Sequence, residues 1–435
     1  METSISTPDG RRHETVHAPA EATKEMITSP DPTPTFPDGG LEGWGVVLGG
    51  AIAMCVSFGA VTSCAVFQEY YARTVLRYRS QSDIAWISSV QLALMFGMIL
   101  PSSHLLTLGG PRLPLILGTT FLFVGNMCAS AATTRIEFLF SQGICAGIGE
   151  GLIMLPAITM PVEWFLLQRS LVSGLVAAGS AFGGVILPIA INRLLNTHHV
   201  SLPWTLRFVA FVQLGGMAIA ISLIKQRFSK AEVQLPWRAW LSSRSTLLLS
   251  FAAFCLVLAQ YIPYIFIAVF AVRRGAHPSL AFYFTSVMNS GAVVGRLCSG
   301  FLGDRFGCYN SLALAAFLSG VIALTQTAAI SITGILVWAL AYGAISGSLQ
   351  SLLTPAMAFL APEPAAIGGY VALSGVVLCP ALLASQPVAG ALLNIGGEDR
   401  DFLAQSLFTG SLCVIGSVFV LLSRAQLPDT LSWKR

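Results

Sequence analysis

Apolar residues in this chain do not alternate with polar ones; they run unbroken. Stretches free of Asp, Glu, Lys and Arg cover residues 43–68, 84–111, 113–134, 170–192, 245–272, 275–295 and 402–423. Each can supply the about 20 helical residues that cross a hydrocarbon core of roughly 30 Å. Residues 138–162 give another span if Glu150 is tolerated, 208–224 a shorter one reaching upstream to Trp204, and 366–393 one more. The uncharged run 306–362 is too long for one helix. Its small and polar stretch Ala328-Ala329-Ile330-Ser331-Ile332-Thr333-Gly334 marks a turn, leaving spans near 309–328 and 334–357. The pattern predicts an all-α membrane protein with twelve transmembrane helices. Membrane barrels are excluded, because their strands alternate apolar and polar residues over about ten positions.

The longest link between spans, 225–246, is basic and divides the twelve into six plus six, the organisation of a two-half transporter. The expected domains are a disordered cytoplasmic tail over 1–42, a six-helix bundle over 43–224, a central cytoplasmic loop over 225–246, a second six-helix bundle over 247–422 and a short cytoplasmic tail over 423–435. The tail 1–42 owes its expected disorder to prolines among Ser, Thr and charges, which bury too little apolar surface to order a chain. No cleavable secretory signal is expected, because the extreme N-terminus lacks an apolar stretch. The bundles also rhyme: Gly110-Pro111-Arg112 follows the second span and Arg305-Phe306-Gly307 the eighth, the two glycines standing 197 positions apart. Pseudo-symmetric halves follow from that spacing. Arginine and lysine favour the side holding both termini, the outer cluster Arg73, Arg77 and Arg79 notwithstanding, so that side is read as cytoplasmic.

Composition narrows the function. With 54% apolar and 10% charged residues the chain is no water-soluble globule, against roughly a quarter charged in a typical soluble domain. A net charge of +4 brings no basic face, so the bilayer and not nucleic acid is the expected partner. None of the four lysines follows a glycine, which removes a phosphate-cradling loop and ATP-driven transport. The six histidines are scattered over tail, loops and helix ends, so no metal, cofactor or membrane-embedded enzyme chemistry is expected. The nine cysteines lie in or beside helices as small apolar fillers, not as a disulfide framework.

Four stretches carry a resemblance. Asp38-Gly39-Gly40-Leu41-Glu42-Gly43-Trp44 leads into the first helix, and the fourth holds Gln142-Gly143, Gly147, Gly149, Gly151, Pro156 and Trp164-Phe165. The fifth contains Ala178-Gly179-Ser180-Ala181-Phe182-Gly183-Gly184 with Pro188, and the eighth contains Asn289, Gly295-Arg296, Ser299-Gly300 and Asp304-Arg305-Phe306-Gly307. Together they resemble the major facilitator superfamily, in its monocarboxylate-porter type as found in fungi, over residues 38–422. The resemblance implies two pseudo-symmetric six-helix bundles working by alternating access. It also implies that Arg296 pairs with a substrate carboxylate.

Physical reasoning supplies the remaining candidates. A guanidinium within a span is costly unless it faces a cavity or partner, which singles out Arg296; Asn289, seven residues earlier, shares its face. A structural arginine snorkelling near the membrane surface remains the alternative. Glu150 is the carboxylate well inside a span, and burial there favours its neutral form, suiting it to proton coupling; a plain cross-helix hydrogen bond is the other reading. Tyr261, Tyr264, Tyr342 and Gln350 are polar groups at membrane depth, as are Thr62, Ser180, Gln260, Ser346, Ser374 and Gln386. Gly143, Gly147 and Gly151, four apart, form a groove for a neighbouring helix. Gly300, Asp304, Arg305 and Gly307 resemble the superfamily's conformational latch, the acid facing a helix N-terminus and the arginine closing an ion pair. Thr107-Leu108-Gly109-Gly110 occupies the matching place in the first half and lacks both charges. The chain also departs from the better-known animal members, with Ala292 where they carry an aspartate four residues before the arginine and no lysine near Val61-Thr62-Ser63-Cys64. The expected function is secondary transport of a small organic anion or metabolite, as an efflux pump in the cell membrane or an internal membrane such as the vacuolar one. The alternative is proton-coupled uptake of a monocarboxylate or vitamin-like acid.

Overall fold

The computed structural model describes residues 39–78, 81–227, 237–362, 366–395 and 402–427. Most of the expected N-terminal tail, the middle of the central link and residues 428–435 lie outside the described residues. Twelve helical segments follow one another, and no strand occurs among the described residues. In the first half these are α1 (Leu41–Gln68), α2 (the bent pair Gln81–Gly97 and Ile99–Gly109), α3 (Arg112–Ala129), α4 (Arg135–Val162), α5 (Arg169–Thr197) and α6 (Leu202–Leu223). In the second they are α7 (Arg244–Arg273), α8 (Pro278–Phe306), α9 (Cys308–Leu324), α10 (Ile332–Ala358), α11 (Ile367–Ile395) and α12 (Leu403–Ala425).

Nine of these are long and apolar enough to cross a membrane alone, and the bent pair makes a tenth. Of the other two, α9 has 17 residues and α8 is long but polar. Large apolar side chains such as Leu48, Phe121, Phe208, Leu314 and Val337 point outward, where only lipid can cover them. This is a multi-pass membrane protein.

Local chemistry sets the ends. Thr134 and Glu137 cap α4 reciprocally: the Glu137 N–H donates to the Thr134 hydroxyl at 3.4 Å and the Thr134 N–H to the Glu137 carboxylate at 3.0 Å. Ser331 caps α10 through the Gly334 N–H at 3.0 Å, which places the α9–α10 turn where the small-residue run predicts it. The helix ends of the two halves match as well. Gly110 closes α2 at φ 65° and Gly307 closes α8 at φ 91°, a backbone region that costs glycine nothing. The repeat seen in sequence is therefore a repeat of two left-handed helix stops.

The eighth helix runs on through Arg296 to Phe306, where the sequence places its end, the arginine finding acceptors inside the protein. One expectation changes. The link 225–246 is not loop throughout, since Trp237–Ser242 is helical and α7 already starts at Arg244. Trp240 of that short helix packs with Tyr370 and Leu373 of α11.

Small residues govern the packing. Gly143, Gly147 and Gly151 of α4 lie against the backbone of Ile87, Gln91 and Met95 in α2, seating that helix in the predicted groove. Gly291 and Gly295 of α8 abut Leu340 and Ala344 of α10, while Gly343 and Gly347 of α10 abut Met288 and Ala292. Ala292 is fully buried there against Gly347, a place with no room for a larger side chain. The two bundles meet mainly where α5 crosses α8 and where α2 crosses α11.

Candidate functional site

At one end of the α5–α8 crossing, Gly174 rests on the Arg296 carbonyl and Gly300 on the Ser170 carbonyl, so the helices touch backbone to backbone. One turn further on, the Asp304 carboxylate accepts the N–H groups of Ser170 and Leu171, both at 2.9 Å. These are orphan donors at the start of α5, where a negative charge is favourable. The acid of one bundle thus caps a helix of the other. Arg305 does not follow the expected pattern: it lies over the Phe306 ring at 5.6 Å, and no ion pair involves it among the described residues. The acid thus meets a helix N-terminus as expected, whereas the inter-helix ion pair expected of the arginine is not formed among the described residues. In the first half Thr107 spends its hydroxyl on the His104 carbonyl at 2.6 Å, so no matching acid cap exists.

Beyond this contact two cavities lie between the bundles. The latch-side cavity, of about 90 Å³, is walled chiefly by aliphatic side chains, Met154, Ile158, Val176, Leu256 and Leu353 among them. The far-side cavity, of about 60 Å³, has a mixed wall, with Thr62, Gln68, Ser88, Thr285, Asn289 and Gln386 beside Val61, Leu92 and Ile265. Phe58, Gln260, Tyr261 and Gln350 border both, so they form the partition.

Arg296 anchors the partition. It is buried, and its Nη1 donates to the Ala177 carbonyl at 2.5 Å and to the Ser180 hydroxyl, while Nη2 donates to the Gln350 side-chain oxygen. Gln350 in turn donates to the Tyr261 hydroxyl, and the Tyr261 ring lies 6.4 Å from that of Phe58. A hydrogen-bonded bar therefore runs from α5 through α8 and α10 to α7, with α1 leaning on its end. Among the described residues no carboxylate stands within ion-pair distance of Arg296, and its Nε has no partner at all. Buried cations are ordinarily compensated; this one faces a cavity with its charge unmatched.

The other candidates divide. Asn289 joins Arg296 in the far-side wall, its amide donating to the Thr285 carbonyl at 3.1 Å. Tyr264 also lines that cavity and shares a hydrogen with Ser346 at 3.3 Å. Tyr342 does not reach either cavity: it stacks on Trp338 at 5.2 Å and donates to the Gln260 carbonyl at 3.2 Å, which makes it a support behind the wall. Glu150 is likewise set back. Its Oε1 accepts from Gln91 at 2.8 Å, its Oε2 has no partner, and the Cys64 thiol, which does line the cavity, donates to the Gln91 oxygen at 3.1 Å. Glu150 is separated from the cavity by the Gln91 amide and the Cys64 thiol, because the glycine groove brings Gln91 of α2 against α4.

Sequence reasoning missed Phe58, Gln68, Ser88 and Gln91. The three polar ones carried the signal used for Gln350, an amide or hydroxyl in an apolar run. Phe58 carried none, since phenylalanine in a span is ordinary.

Comparison with known proteins agrees with this architecture. The family model described as the Major Facilitator Superfamily matches residues 46–380. "MFS-type transporter 1" of Ophiocordyceps sp. (strain BCC 1869) is 34% identical over 397 residues, covering 90% of this chain and 87% of that protein. The agnestins efflux protein AgnL12 of Paecilomyces divaricatus is 33% identical, covering 88% and 87%, and the aspyridones efflux protein apdF of Emericella nidulans is 31% identical, covering 91% and 80%. Among solved structures, FucP in its outward conformation superposes with a TM-score of 0.65 at 16% identity, covering 87% of this chain and 98% of that one.

Proposed function

The chain belongs to the Major Facilitator Superfamily, and from that premise we propose that it is an efflux carrier of the monocarboxylate-porter type, moving a secondary metabolite with an acidic group out of the cell by alternating access. It is a transport protein with a small-molecule substrate, by family and fold. One observation carries the finer reading: Arg296 sits at the junction of the bundles with its charge unmatched and a cavity before it. A substrate anion supplies the missing partner, and charge-assisted pairing with a guanidinium fork is strong and directional. Export as the direction rests on the names of the fungal relatives, several of which are efflux proteins. The charged groups that the animal porters use for coupling are replaced by Ala292 and the uncharged Val61-Thr62-Ser63-Cys64.

Within this reading Asp304 and the start of α5 hold the latch side shut, with Gly300 and Gly307 allowing the close approach and the sharp stop. That side faces the cytoplasm by its basic loops. Deleting the gene in the producing fungus is expected to retain acidic metabolites in the mycelium and deplete them from the medium, with restoration by the wild-type gene and not by Arg296→Gln. Equal export by the deletion strain and its parent refutes efflux.

Uptake coupled to protons is the second reading, favoured by Glu150 with its free Oε2 and its amide link towards the cavity. Vesicles with an imposed pH gradient and a panel of organic acids separate the two. Acid-driven accumulation selects uptake, and movement against an inward gradient selects export.

A further inference from the structure

The partition between the two cavities has an unusual make-up. Its bar is held at Arg296 by a neutral amide oxygen, that of Gln350, on the one guanidinium nitrogen that turns towards α10. The same amide's nitrogen is committed to Tyr261. Removing the Gln350 oxygen from Arg296 therefore frees both ends of the bar at once, because one side chain makes both bonds. The two walls differ in balance: hydroxyls and amides stand beside Val61, Leu92 and Ile265 on the far side, whereas Met, Ile, Val and Leu dominate the latch side. A small hydrophilic acid has use for the first wall only.

Resting on the efflux reading above, we propose that Gln350 is a built-in stand-in for the substrate's acid. The acid of an amphipathic monoanion displaces the Gln350 oxygen from Arg296, the Gln350–Tyr261 bar swings aside, and the two cavities join into one site. The anionic head stays at Arg296 with Asn289 near it, and the apolar body fills the latch-side cavity between Val176, Leu256 and Leu353. The substrate class is thus a hydrocarbon-bearing or polycyclic monoanion. Acids too short to leave the far-side cavity gain the arginine contact but not the apolar burial, which contributes about 25 cal/mol per Å² covered. An amide offers only a neutral oxygen in exchange for the one it displaces, and an amine repels the guanidinium.

The test uses the full-length protein in nanodiscs, with octanoate, propionate, octanamide and octylamine as probes and the shift in melting temperature as readout. Octanoate is expected to bind at least about tenfold more tightly than propionate, and octanamide and octylamine to give no shift. Gln350→Glu supplies Arg296 with a permanent internal carboxylate, so octanoate affinity falls by about tenfold or more. Gln350→Ala removes the competitor and raises octanoate affinity. Opposite responses of these two variants are what a merely structural glutamine does not produce. Ser374→Phe, which fills the latch-side cavity, is expected to reduce octanoate to the level of propionate and leave propionate unchanged. Octanoate binding that is equal in Gln350→Glu and the wild type overturns the stand-in. Equal affinity for octanoate and propionate overturns the apolar subsite, and binding of octylamine as tight as octanoate overturns the anion. Failure of the gene deletion to retain metabolite, with these binding results intact, refutes the export direction alone.

Discussion

Residue by residue, the site is governed by two ionisable groups, Arg296 and Glu150, that the protein buries without ion partners among the described residues. Arg296 makes its hydrogen bonds to a carbonyl, a hydroxyl and an amide, and its fork needs all three directions. Arg296→Lys keeps the charge but not the fork. Losing a hydrogen bond to a charged group costs about 1.5–3 kcal/mol, so export is expected to fall about tenfold to a hundredfold with the protein still folded. Metabolite in the medium, read against the amount of protein in the membrane, checks this. Glu150 behaves differently, because Gln91 already satisfies one oxygen. Glu150→Gln preserves that hydrogen bond and removes the titratable proton, so transport in vesicles is expected to persist while its dependence on pH flattens. Full pH dependence in the variant excludes Glu150 from coupling. Both residues were legible from sequence, since a charge within an apolar span announces itself. The partners were not, because which carbonyl or amide meets Arg296 depends on how α5 and α10 are rotated against α8.

For the helices, glycine and alanine determine which faces meet. Hydrophobic periodicity says little here, as both the lipid and the core are apolar, so spans were countable but their inward faces were not. The glycine spacing in α4 was the exception: it marked a groove for a neighbouring helix, and the structure seats α2 there. The end of α8 was legible too, because the glycine and acid motif carries the helix to Gly307; Arg296 is held on acceptors of α5 and α10, and Asp304 on N–H donors of α5. Ala292 makes the cost of packing testable. Restoring the acid of the animal porters, Ala292→Asp, places a carboxylate against Gly347 in a contact without space, and is expected to cost about 3 kcal/mol or more and to lower the yield of monodisperse protein. Size-exclusion profiles in detergent are the measurement; a well-behaved Ala292→Asp protein contradicts this account.

Across the whole molecule, the bundles are joined by an asymmetric contact, Asp304 of α8 capping α5 with no acid counterpart on α2 among the described residues. Removing its charge by Asp304→Asn weakens the cap on α5 by about 1 kcal/mol, which shifts the balance of conformations by about fivefold towards latch-side opening. A thiol introduced by Ser173→Cys, in the latch-side wall, is expected to react faster with a membrane-impermeant maleimide from that side in the Asp304→Asn background. The six-plus-six plan was legible because span counting and a repeated Gly stop both encode it. The missing ion pair of Arg305 was not, because the motif names the arginine but not the acid on another helix that would have to meet it.

One feature of α2 bears on how such a carrier moves. The helix bends by 41° at Met98, beside Pro101, which has no N–H to return to the Gly97 carbonyl. Gly97 touches Cys379 at that point, and Gly375 rests on Phe96. The elbow therefore lies on the seam with α11, so a change in its angle would move the two arms by different amounts relative to that helix. Distances from spin labels on the two arms to a common reference on α11 would then change by unequal amounts during a transport cycle, the mark of a jointed strut rather than a rigid rod.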